Sequence, residues 1–190
     1  MHKAISPTVA VLALLSVMSV ATSTAAAAEF KVHGDDFKHG RVAQEQVFNG
    51  FGCSGGNVSP HLVWQGAPKG SKSFLVTIHD PDAPTGGLGW THWVVANIAA
   101  NITELPKGIS IDASKLPAGA VQGNTDFGKA GYGGPCPPVG PAHRYVITVN
   151  ALTVDKLDVD ANSTPALVAF MANGNSLGTA SLTVRYGRSK

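Results

Sequence analysis

Apolar residues alternate with other side chains along His143 to Leu152 (HRYVITVNAL). Tyr145, Ile147 and Val149 fall on one face, Val146, Thr148 and Asn150 on the other. A period of two marks a β-strand. Ser73 to His79 (SFLVTIH) and Trp93 to Ile98 (WVVANI) are more continuously apolar and β-branched, as buried strands are. A shorter strand is predicted around Leu62 to Trp64, and a last one over 181–187 (SLTVRYG). One helix is signalled: Thr164 can cap it, Pro165 suits its first position, and Gly174 closes it. The pattern predicts a β-rich α+β domain with a late helix.

Between these elements lie segments rich in Gly, Pro, Ser and Asn. Asn49-Gly50 is a turn signal, and FGCSGGNVSP (51–60) is an irregular loop. The stretch 116–142 is long and Gly/Pro-rich. A loop of that length inside one domain usually has a functional role. No internal repeat or interdomain linker is present.

The first 28 residues read differently. Lys3 is followed by an apolar run, Val9 to Val20, and then by small residues up to Ala28. This is the layout of a signal peptide; the run is too short for a spanning helix. The expectation is a leader over 1–28, a single mature domain over 29–190, and a periplasmic or secreted protein with no transmembrane segment in the mature chain. Export gives the two cysteines a meaning. In an oxidising compartment Cys53 and Cys136, 83 positions apart, are expected to form one disulfide. The alternative is a pair of buried free thiols.

With a net charge of +2 and no basic run, nothing favours a nucleic-acid partner or an acidic membrane. The chemistry concentrates in HDPDAPTGGLGWTHW (79–93), in GYGGPCPPVGPA (131–142) and in His143-Arg144-Tyr145. Asp80 and Asp82 flank Pro81, whose φ is fixed, so their side chains are held at low entropic cost. A lone Asp-Pro-Asp is also an ordinary turn. Three readings are open: a metal site, an acid/base site, or an anion pocket. His79, Asp80, Asp82 and His92 could in principle hold a metal, but no H-x-x-x-H or H-E-x-x-H spacing occurs. No G-x-S-x-G elbow and no phosphate-binding P-loop is present, and no cofactor is implied. The glycines of 131–140 allow backbone amides to approach an anion. Arg144 alternates with His143 and Tyr145, so it is expected on the opposite face, in a structural salt bridge.

In order along the chain, F-G-C-S-G-G-N-V-S-P-H-L-V-W (51–64), D-P-D-A-P (80–84), W-T-H-W-V-V (90–95), G-x-G-G-P-C-P-P-x-G (131–140), H-R-Y (143–145) and V-R-Y-G-R (184–188) resemble the phosphatidylethanolamine-binding protein family, in its bacterial, Raf-kinase-inhibitor-like branch. The resemblance implies a large antiparallel sheet, a smaller second sheet and short helices near the C-terminus. It also implies a shallow pocket for phosphate-like anions, built from Asp80, Asp82, His92, Gly134, Pro137, Pro138, His143 and Tyr145, with Ala83-Pro84 a candidate cis peptide. The ligand would be a phosphate monoester or phospholipid headgroup. Homodimers would fit the bacterial branch. Thr91 stands where many eukaryotic members carry a second histidine.

Two other functions compete: inhibition of a protease or kinase through the pocket rim, and hydrolysis with Asp80 and His92 as acid and base. The carboxylates pose a physical problem for the anion reading. A phosphate dianion beside Asp80 is repelled unless a proton lies between them. The expected resolution is His92 or His143 held cationic by Asp80 or Asp82, with affinity falling as the imidazoles lose charge.

Overall fold

The computed structural model describes Met1 and residues 28–189. The expected leader lies outside the described residues, save its two ends. Ten strands follow in chain order: β1 (Lys31–His33), β2 (Asn49–Gly50), β3 (Cys53–Ser54), β4 (Leu62–Gln65), β5 (Ser73–Asp80), β6 (Trp90–Ala99), β7 (Glu104–Leu105), β8 (Val121–Gln122), β9 (His143–Leu152) and β10 (Ser176–Tyr186). The α-helix, α1, spans Pro165–Asn173.

The large sheet has the order β10-β9-β5-β6-β8, a smaller one β1-β4-β7, and β2-β3 form a hairpin; all pairings are antiparallel. The predicted β-rich architecture, with one large sheet, a smaller sheet and few short helices, is what forms. The three inner strands, β9, β5 and β6, are those with the strongest apolar patterns. Phe74, Val76 and Ile78 of β5 face the small sheet together with Tyr145, Ile147 and Val149 of β9, and Trp64, Leu62 and Leu105 close this core from the other side. On the opposite face Leu75, Val94 and Ala96 pack under Val168 and Ala172 of α1. Thr164 caps that helix, its Oγ1 accepting from the Leu167 N–H at 3.3 Å.

The last strand begins at Ser176, five residues before the predicted start. It pairs with β9 along its whole length, with a bulge between Ser176 and Gly178. The Asn49-Gly50 turn also moves. These two residues pair with Ser54 and Cys53, and the turn falls on Phe51 and Gly52, both at positive φ (53° and 81°). No helix among the described residues is long and apolar enough to cross a membrane.

Cys53 and Cys136 are joined, as expected. The bridge ties the β2-β3 hairpin to the Gly/Pro loop. It closes a loop of 83 residues, and chain entropy assigns such a closure about 4 kcal/mol. The Cys53→Ser/Cys136→Ser double variant should therefore unfold at lower urea concentration, with a stability loss approaching that figure in equilibrium denaturation.

Candidate functional site

The site grows out of the core-facing side of β5, β6 and β9. Asp80 continues the row Phe74-Val76-Ile78, and His143 continues the row Tyr145-Ile147-Val149, because side chains two apart share a face. His92 reaches the same side by another route. Ile78 pairs with Trp93 and His79 with Thr91, so His92 is an extra residue in β6. This bulge places His92 beside Trp93 on the core side, whereas strict alternation would have turned it away.

These residues form the floor of a cleft of about 310 Å³. Asp80 is 3% exposed. Its Oδ1 accepts the Asp82 N–H at 2.8 Å, and its Oδ2 faces His143 Nδ1 at 2.8 Å. Tyr145 is 1% exposed, and its hydroxyl has no hydrogen-bond partner among the described residues. Burial first, and then the Asp80 carboxylate, push this phenol's pKa upward, so it is a hydroxyl donor at any physiological pH. His92 packs edge-on against Tyr145, with ring centroids 5.1 Å apart, and its Nδ1 lies 2.6 Å from the Gly133 carbonyl.

Aromatic and proline side chains build the walls. Phe127 sits against His92, Trp90, Phe48 and Phe51. Ala83, Pro84 and Thr85 form one lip, and Cys136, Pro137 and Pro138 the other. Phe51 is 68% exposed at the mouth despite its left-handed backbone. An L-residue held in that region costs energy that a surface turn would avoid with glycine.

The structure thus brings together Asp80, His92, Pro137, Pro138, His143 and Tyr145. Two expected contacts lie elsewhere. The Asp82 carboxylate is not in the cleft lining. It accepts Arg144 Nη2 at 2.6 Å, Nε at 3.0 Å and the Arg144 N–H at 2.8 Å, and the guanidinium holds its pKa well below the usual carboxylate range. Arg144 is the structural salt-bridge residue that its alternation implied. Gly134 supports the loop from behind: its N–H donates to Asn57 Oδ1 at 2.7 Å, and a Cβ there would meet the Gln46 carbonyl at 2.1 Å.

Other expectations need correcting. The Ala83–Pro84 bond is trans, the form an X–Pro bond ordinarily prefers. His79, named as a conceivable metal ligand, bonds Thr91 Oγ1 at 3.2 Å, and it is His143 that pairs with Asp80. His92 is not a cation. Burial is the main cause that lowers its pKa, to about 4, and outweighs the Gly133 carbonyl and the Asp80 charge. Phe51 and Phe127 escaped the sequence reading. The Cys53–Cys136 pairing could have placed Phe51 near Pro137, whereas no local pattern marks Phe127. No group of three or more His, Cys, Asp or Glu side chains among the described residues converges as a metal site.

Comparison with known proteins matches residues 35–187 to the family model of the phosphatidylethanolamine-binding proteins. The chain is 51% identical to Escherichia coli (strain K12) YbcL over 174 residues, covering 90% of this chain and 94% of that protein. It is 46% identical to YbhB of the same strain over 157 residues, covering 82% and 99%. The crystal structure of E. coli YbcL, described as a new member of the mammalian PEBP family, superposes with a TM-score of 0.82 over 85% of this chain and 100% of the other.

Two measurements check the site's construction. Unfolded His92 binds a proton near pH 6.5 and the folded form near 4. The unfolded state therefore holds more protons across that window, and stability is lost as pH falls through it, by on the order of 3 kcal/mol. Urea midpoints from pH 7 to pH 4 should show this slope, and His92→Gln should flatten it. Gly134→Ala should cost about 2 kcal/mol or more, because backbone atoms have to move; thermal or urea denaturation reads it directly.

Proposed function

This chain belongs to the phosphatidylethanolamine-binding protein family, and from that premise we propose that its cleft binds a small phosphate-type anion in an exported, non-catalytic domain. One observation carries the proposal: the Tyr145 hydroxyl is buried at the cleft floor beside the Asp80 carboxylate and meets no partner at full hydrogen-bond geometry among the described residues. A buried donor left unpaired costs about 1–3 kcal/mol. A ligand oxygen reaching it through a small shift of the covering side chains would satisfy it, and the His143 ring, its Nδ1 2.8 Å from Asp80 Oδ2, lines the same cleft.

The cleft fits such a ligand in other respects. Its floor is polar and its walls are apolar, as small-molecule sites usually are. Apolar walls lower the local dielectric and so strengthen a hydrogen bond made at the floor. Export is supported by the leader pattern in the sequence and by the disulfide, since such bonds persist in oxidising compartments. A binding rather than a hydrolytic role fits the lining. Cys136 is in the disulfide, and the Thr85 hydroxyl lies 3.0 Å from the Gly89 carbonyl. Asp80 is paired with His143, and His92 faces the Gly133 carbonyl through Nδ1.

Calorimetric titration with phosphoethanolamine at pH 6 tests the proposal. The wild type should bind. Tyr145→Phe should bind about tenfold more weakly while unfolding at the same or a higher urea concentration, because it deletes an unsatisfied hydroxyl. Asp80→Ala should abolish binding. Equal affinity in wild type and Tyr145→Phe would overturn the assignment of this floor.

A further inference from the structure

Every polar atom on the cleft floor can be given a donor or acceptor role from its protein partners. A carbonyl only accepts, so His92 Nδ1, which faces the Gly133 carbonyl, is the protonated nitrogen. In the neutral ring Nε2 then carries a lone pair, and it meets no protein donor among the described residues. On Asp80, Oδ1 accepts the Asp82 N–H and Oδ2 accepts from His143, which leaves each oxygen one further lone pair. The floor therefore offers two acceptors, His92 Nε2 and the Asp80 carboxylate. Against them stands one donor, the Tyr145 hydroxyl, since the His143 Nδ1 proton is engaged by Asp80.

Charge leads the same way. No lysine or arginine lines the cleft. The groups around the floor are Asp80 and His79 on β5, His92 on β6, and His143 and Tyr145 on β9, with the phenols of Tyr132 and Tyr186 beyond Tyr145. At the lip Asp82 and Arg144 neutralise each other. Behind the disulfide wall Arg188 is engaged by the carbonyls of Phe51, Gly52 and Pro137. A dianion here would face a carboxylate and an imidazole lone pair with at most one imidazolium to offset it. A monoanion that brings its own proton meets the floor without conflict. Its hydroxyl donates to an acceptor, and a remaining oxygen accepts from Tyr145.

We propose that the cleft selects the monoprotonated form of a phosphate monoester, and rejects phosphodiesters and sulfate esters, which carry the same single charge but no proton to donate. This rests on the anion-binding function proposed above and narrows it. The preferred ligand is a free phosphomonoester, and the diester linkage of an intact lipid headgroup lacks the hydroxyl that the floor requires.

Four ligands that share an aminoethyl group make the test: phosphoethanolamine, 2-aminoethylphosphonate, ethanolamine O-sulfate and glycerophosphoethanolamine, titrated calorimetrically into the wild-type protein from pH 5 to pH 8.5. Phosphoethanolamine should bind at least tenfold more tightly than the sulfate and the diester at pH 5.5. Its affinity should fall about tenfold per pH unit above its second ionisation, near pH 6 for a phosphomonoester. The midpoint of this fall should move upward with 2-aminoethylphosphonate, whose second ionisation lies higher, because the titrating proton is the ligand's. Sulfate and diester affinities within threefold of phosphoethanolamine would overturn the selectivity and leave anion binding intact. A midpoint common to both phosphorus ligands would also overturn it, by assigning the titration to a histidine of the protein. No binding of any of the four at millimolar concentration would overturn both this inference and the anion-binding function.

Discussion

The buried carboxylate of Asp80 sets the constraint around which this end of the molecule is built. A charge taken out of water needs compensation by hydrogen bonds or an opposite charge. Asp80 finds both, in the Asp82 N–H and in His143. The first bond closes the turn after β5, and the second fastens that turn to the start of β9. Asp82, placed by this turn, then clamps Arg144 through three nitrogen contacts. Two adjacent inner strands are thereby locked at the ends where the core face gives way to polar side chains. His143 and Tyr145 hold their positions because Asp80 holds its own.

The walls depend on a different constraint. The loop carrying Cys136, Pro137 and Pro138 has little regular hydrogen bonding, and it is held by a covalent bridge, by Asn57, and by a glycine packed on the Gln46 carbonyl. The same bridge carries the hairpin that presents Phe51. Arg188 adds bonds to both segments from the C-terminal end of the chain. The aromatic wall of Phe48, Phe51, Phe127 and Trp90 is thus assembled from three separate loops and a strand end. By burying His92, it keeps that ring neutral. Wall and floor are coupled in this way: apolar packing decides which floor atoms can donate and which can only accept.

Much of the fold was legible in the sequence because local patterns there agree with tertiary demands. The alternation in 143–152, the apolar run in 73–79 and the Thr-Pro start of the helix each formed as the period predicts. Where the structure departed, a nonlocal interaction prevailed. β10 starts early because β9 offers a full-length partner, and the 49–54 turn sits at Phe51-Gly52 because Cys53 must reach Cys136. Within the site, strand parity explains why Asp80, His143 and Tyr145 share a face, but their place in the site, like that of Pro137 and Pro138, was legible only as what the family resemblance implies. Asp82 and Gly134 belong to the same motifs yet serve as supports, a distinction that motif membership does not contain.

The sequence by itself determined the β-rich class, the long strands, the helix, the cysteine pair and the clustering of chemistry in two loops and a strand start, since these follow from periodicity, capping and covalent pairing. Tertiary structure alone decided that His92 turns inward, through a bulge defined only by its pairing with β5. It decided that His92 is neutral, through burial by residues far away in the chain. It decided that Asp80 takes His143 as partner instead of His79, because the two faces of β5 lead to different neighbours. Donor and acceptor roles at a buried site are properties of an enclosure, and an enclosure exists only once distant segments have packed.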